Sequence, residues 1–165
     1  MPGEGNNMKS GWRYPPALSE RLIYSESPEC KNGDYRISAE KMRQLVITEI
    51  IELLNHTNAE NEIDGDKYPN ILSSSMNFGL PPRHFFSDQE DGNRTEHDIR
   101  TAILRFEPRV IPETLIVRVA QSSRSRQQQV TIVVEVSAMI YWHPSPLDLY
   151  LKGHYDRDSR KLFMK

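Results

Sequence analysis

From Ser38 to Asn55, apolar residues recur at three- and four-residue steps as Met42, Leu45, Val46, Ile50, Leu53 and Leu54, and Ile47 and Ile51 widen the stripe. That period predicts an amphipathic helix, and a stripe so wide calls for more than one covering neighbour. Ser38 is placed to cap it, with Glu40 in the first turn against the positive end of the macrodipole. Asn55, His56 and Asn58 close the pattern, and residues 58–66 read as a polar loop. A second helix is expected to begin at Thr95, with Asp98 as a shortened capping-box acid. Ile99, Ala102, Ile103 and Phe106 then make one face apolar. Pro108 disfavours helical geometry at Glu107 and removes a donor, so the helix should stop there. Glu107 and Arg109 are left on a stiff corner.

Beyond the corner the period changes from 3.6 to 2. Leu115, Val117 and Val119 alternate with Ile116, Arg118 and Ala120. After a polar tip over 121–129, Ile132, Val134, Val136, Ala138 and Ile140 share one face of a long strand expected over 130–142. Pro144 and Pro146 break that strand, and Leu147, Leu149 and Leu151 start a third against Asp148, Tyr150 and Lys152. Helices first and strands after predict an α+β class: two main helices packed on an antiparallel β-meander of about three strands. Residues 1–36 show neither period and read as an N-terminal arm with a short anchor at Leu18, Arg21 and Leu22; residues 37–165 form a single domain. Residues 73–82 are non-repeating yet carry Met76, Phe78 and Leu80 as apolar anchors, with Gly79 free to take a positive φ, and so predict a buried corner.

Composition narrows the function classes. The chain has 165 residues, one domain's length, with 21 Lys+Arg against 23 Asp+Glu. Without a basic excess it does not fit a general nucleic-acid binder. No apolar run reaches bilayer length and the start lacks a signal-peptide core, so a soluble, unexported protein is expected. Cys30 is the only cysteine, which excludes an internal disulfide and a cysteine-held zinc.

No cofactor or metal is expected. Neither nucleotide-loop spacing occurs, and His56, His84, His97, His143 and His154 contain no His-x-x-x-His pair. Asp64, Gly65 and Asp66 have the composition of a calcium loop but not its ligand ladder. A Gly-x-Ser-x-Gly elbow is missing. Glu96, Asp98, Glu107 and Glu135 are the carboxylates that could form a glycosidase pair. Arg109, two positions from Glu107, favours the ionised form and opposes the proton donation a general acid must perform, so this pair suits recognition better.

Four segments in order carry a family resemblance: Leu18 with Arg21 and Leu22; Leu53, Leu54 and Asn55; Ser74 with Asn77, Phe78, Gly79, Leu80 and Pro81; and Phe106, Glu107, Pro108 and Arg109 followed by strands. Together they resemble the TssE-type baseplate component of bacterial type VI secretion, similar also to the small wedge protein of contractile phage tails and often labelled lysozyme-like. Two positions depart from the family pattern: His56 and Thr57 stand where Thr-Arg is usual, and Pro82 where an acid is usual.

The resemblance implies a non-enzymatic, cytoplasmic wedge subunit that links the wedge core to the contractile sheath and helps to initiate sheath assembly. It implies that Glu107, Pro108 and Arg109 dock on partner wedge proteins of the TssF, TssG and TssK types. It also implies that an exposed sheet edge accepts a strand from sheath proteins of the TssB and TssC types, by main-chain pairing. Nucleic acid and membrane insertion play no part in that picture. The alternatives are a peptidoglycan-cleaving hydrolase, a phage-tail or extracellular injection-device version of the same subunit, an internal tie between helix and strand for the corner, and, for the sheet edge, cover by the protein's own arm.

Overall fold

The computed structural model describes residues 37–82, 92–123, 130–156 and 161–164. The expected arm and its anchor at Leu18, Arg21 and Leu22 therefore lie outside the described residues. Helix α1 runs Ala39–Asn55, and Ser38 caps it, its hydroxyl accepting from Lys41 N at 3.2 Å. Val46, Ile50, Leu53 and Leu54 are its buried positions, as the stripe predicts. A single short turn of helix, α2 (Pro69–Leu72), and a 3-10 turn at Ser75–Asn77 follow.

Helix α3 spans Gly92–Phe106, starting three residues ahead of the expected Thr95. Thr95 is not its cap but a buried residue of its first turns. Asn93 and Arg94 are exposed, so this extra stretch carries no apolar period by which a reader could find it. The far end follows expectation. Glu107 N closes the last turn on Ile103 O at 2.8 Å, and Pro108 stops it.

The strands form one antiparallel meander in the order β1 (Ile116–Ser123), β2 (Val130–Ile140), β3 (Leu147–Asp156) and β4 (Lys161–Met164). The fourth strand is an addition to the expected three. Pairing aligns Val117 with Val136 and Val136 with Leu151, which puts the apolar set of each strand on one face. Ile132, Val134, Val136, Ala138 and Ile140 are all buried there, beneath α1 and α3. Each of the Ile and Val side chains contributes about 1.5–3 kcal/mol, several times a surface ion pair, so these positions and not the surface charges fix the register. The opposite face is open to solvent, with Ile116, Met139, Tyr150 and Phe163 exposed.

The corner at residues 77–80 ties the end of α1 to α3. Thr57 and Leu80 form a parallel bridge, with Asn58 N donating to Leu80 O and Leu80 N to His56 O. Gly79 sits at φ 116°, and a Cβ there would lie 2.5 Å from His56 O, so only glycine fits. Asn77 is buried with both amide ends satisfied: Oδ1 accepts from Ala59 N and Nδ2 donates to Leu72 O. Phe78 meets Phe106 edge-on at 5.2 Å, and Leu80 enters the core. Met76, expected as a third anchor, is instead 80% exposed. Phe78 and Leu80 alternate inward in extended backbone, whereas Met76 sits in the preceding 3-10 turn and faces out.

Candidate functional site

The Phe106-to-Arg109 elbow is where α3 becomes sheet. Arg109 O accepts from Tyr141 N and Ile111 N donates to Met139 O, both at 2.8 Å, around a bridge between Val110 and Ile140. The backbone after Pro108 thus continues the line of β1 along the end of β2, before a short turn at Pro112–Thr114. Held from both sides, the elbow has no freedom to swing.

Its side chains form a triad with α1. Glu107 is 2% exposed. One oxygen accepts from Arg109 N at 3.0 Å and from Arg109 Nε at 2.7 Å, and the other accepts from Arg109 Nη2 at 2.6 Å. Arg109 Nη2 also bonds the Glu49 carboxylate, and Nη1 points toward the Met42 sulfur at 3.9 Å. Burial works against the Arg109 charge, yet hydrogen bonds and charge from Glu107, and then from Glu49, hold its pKa above the ordinary value. Burial also raises the pKa of Glu49; the attraction of Arg109 offsets only part of this and the Glu107 charge adds to it. Two carboxylates share one guanidinium, so the triad carries net negative charge.

The expected site residues are therefore together but unequal. Glu107 faces inward, Pro108 is exposed, and 27% of the Arg109 side chain is accessible. Glu49 joins them unforeseen. It is distant in sequence and looks like an ordinary solvent position; its only signal is a seven-residue spacing from Met42, which sets both on one face of α1.

The other chemical feature is the set of sheet edges. On β1 one outward group is taken by α3, Glu96 Oε1 accepting from Val119 N at 2.8 Å, and just ahead of the strand Arg100 donates to Leu115 O and Pro112 O. On β4 the Asn55 side chain imitates a neighbouring strand, accepting from Leu162 N at 2.7 Å and donating to Leu162 O at 3.2 Å. Since the main-chain N–H and C=O of Leu162 point away from β3, the residues of β3 bonded to β4 are His154 and Asp156, and strand alternation turns the main-chain groups of Asp148, Tyr150 and Lys152 to the same outer edge. Arg43 Nε, donating to Asp148 O at 2.9 Å, supports that direction independently. Described β4 residues pair no further along β3 than Gly153.

The carboxylates considered for catalysis are largely engaged. Glu96 holds a strand edge, Glu107 holds Arg109, and Glu135 accepts from Lys152 Nζ at 2.5 Å. Asp98 lines a cavity of about 230 Å³ with Asn77, Thr101, Arg105 and Phe106, and Arg105 Nη2 donates out of that wall to Ser74 O at 3.3 Å. Asp64 Oδ1 accepts from Asp66 N and Lys67 N, which makes this acidic loop a backbone turn. Among the described residues no group of three His, Cys, Asp or Glu could hold a metal, and no helix is long and apolar enough to cross a membrane.

Comparison of the chain with curated proteins and with solved structures returns no match. Against family models it matches the baseplate wedge protein gp25 over residues 40–145, a span that runs from the first turn of α1 through β2 and includes three of the four resembling segments. The chain belongs to the baseplate wedge protein gp25 family.

Proposed function

We propose that this wedge subunit belongs to a type VI secretion system, works in the cytoplasm without catalytic activity, and joins the wedge core to the contractile sheath through two separate surfaces. The first is the elbow. The observation that carries it is the sealed Glu107, which locks the part-exposed Arg109 and the exposed Pro108 into one rigid surface where α1, α3 and β2 converge. A partner of the TssF, TssG or TssK type meets this surface with little ordering cost, because the guanidinium is already fixed. The second surface is the outer edge of β3 at Asp148, Tyr150 and Lys152, where a strand from a TssB- or TssC-type sheath protein can add by main-chain bonding.

The engagement of Glu96, Glu107 and Glu135 supports a structural role over the peptidoglycan-cleaving alternative, which requires two opposed carboxyls, one of them free to donate a proton.

Co-purification with candidate partners separates the two surfaces. Pro108→Glu places a charge on the exposed side of the elbow and is expected to lose the wedge proteins while keeping the sheath, with an unchanged urea midpoint showing that the Glu107–Arg109 joint holds. Tyr150→Pro removes an outward N–H from an edge position, where proline is tolerated, and is expected to do the reverse. Full retention of wedge binding by Pro108→Glu refutes the elbow reading; full retention of sheath binding by Tyr150→Pro refutes the edge reading.

A further inference from the structure

The outer edge of β3 has a feature that strand alternation alone does not require: it is self-complementary. Its usable window is short. At one end β4 takes over from Gly153, and at the other the strand begins at Leu147 just after Pro146. Among the described residues Asp148 to Lys152 remain, centred on Tyr150. The side chains of these three outward positions lie on the solvent face of the sheet, where Tyr150 is 60% exposed and Asp148 and Lys152 are exposed beside it. Charge is negative at one end of the window, where the Asp148 carboxylate accepts from Arg43 Nη2 at 3.1 Å and stays 86% accessible, and positive at the other, where Lys152 pairs with Glu135.

We infer that the free subunit pairs with a second copy of itself through this edge, antiparallel about a two-fold axis at Tyr150. In that register Tyr150 faces Tyr150 of the second copy, and Asp148 faces Lys152 in both symmetry-related positions. The main-chain groups of all three residues already point outward, so each facing pair can exchange both of its hydrogen bonds. The Asp148 carbonyl keeps its Arg43 bond, because a carbonyl oxygen can accept twice.

Lys152 is held beside the window by Glu135, and that neighbour raises its pKa through a hydrogen bond and charge, so the cation stands ready where the second copy's Asp148 arrives. A parallel pairing would set Asp148 against Asp148 and is disfavoured. On the other edges Glu96 takes the Val119 N–H of β1, and Asn55 takes both main-chain groups of Leu162 on β4. This pairing is a property of the edge itself and holds whether or not a sheath strand later takes the same place.

Sedimentation of the full chain across a concentration series tests it. A reversible monomer–dimer equilibrium is expected. Asp148→Lys and Lys152→Asp should each weaken it about ten- to a hundredfold, because one reversal turns two attractive cross-strand pairs into two repulsive ones. The double variant D148K/K152D swaps the charges end for end and should bind more tightly than either single variant, though below the parent, because Arg43 and Glu135 of its own subunit then face like charges. Both positions are exposed and the reversals break only the surface pairs with Arg43 and Glu135, so circular dichroism of each variant should show the parent's fold with at most a small loss of stability. A chain that stays monomeric, a dimer that survives either single reversal, or a double variant no tighter than the single ones each overturns the inference; the first leaves the edge to a different polypeptide.

Discussion

Two corners hold this fold together, and they do so by opposite means. The Glu107–Arg109 elbow is an electrostatic joint: a buried carboxylate, a guanidinium bonded to it twice with the Arg109 main-chain N–H adding a third bond, and a second carboxylate brought from α1. The Asn77–Leu80 corner is a neutral joint built from a satisfied amide, an aromatic edge contact and a glycine pressed against a carbonyl. Both lie in segments that carry the family resemblance. The contrast teaches that a shared signature can be mainly structural: most of its side chains here face inward, leaving Pro108 and part of Arg109 at the surface.

The comparison breaks most visibly at Arg109. Arg109→Ala leaves Glu107 buried without its counter-charge and is expected to destabilise the monomer by about 3–5 kcal/mol, whereas removing both charges with Arg109→Ala and Glu107→Leu should recover most of that loss. Urea unfolding of the two single variants and the double variant measures the coupling. If the single Arg109 variant unfolds at the parent's midpoint, the joint is not electrostatic. The same expectation makes Arg109→Ala a poor docking probe, since lost binding would follow from lost structure.

At the neutral corner the expected effect is somewhat smaller. Gly79→Ala combines a backbone conformation foreign to alanine with a Cβ 2.5 Å from a main-chain oxygen, for a cost of roughly 2–4 kcal/mol. The corner is tied through Asn58 and Leu80 to the end of α1, so amide exchange should quicken at Asn58 and Leu80 first. Uniform loss of protection would place the strain elsewhere.

The sequence makes the inward faces legible because burial is periodic. The stripe of α1, the alternation in β2 and the proline stop of α3 each appear as a repeat or a break in one. What escapes reading lacks a period. The four residues of β4 are too few to show alternation, and Asn55 looks like a helix ending although its amide serves as the neighbour of Leu162. The elbow was half legible: Glu107, Pro108 and Arg109 stand together in the chain, but Glu49 enters only through tertiary packing of α1.

Glu49 provides the finest test of the electrostatic joint, because it is the member whose charge is least well compensated. Its pKa is raised from the ordinary 4.5 by burial, with Arg109 lowering it and Glu107 raising it. A carboxyl raised on folding binds its proton more tightly in the native state. The corresponding stability is fully present below the unfolded value and is lost as pH rises through the raised native value. At neutral pH an ionised Glu49 therefore contributes repulsion toward Glu107 along with its bond to Arg109. Its side chain is 49% exposed, so solvent screening keeps the balance to a few tenths of a kcal/mol. Glu49→Gln retains a hydrogen-bond acceptor for Arg109 and removes the charge. The variant is expected to equal or slightly exceed the parent in stability at neutral pH, with the difference shrinking as pH falls through the carboxylate range. Paired thermal melts at both pH values read that slope. If Glu49→Gln is instead clearly weaker at neutral pH, the second carboxylate is an essential counter-charge, and Arg109 is shared equally between α1 and the elbow.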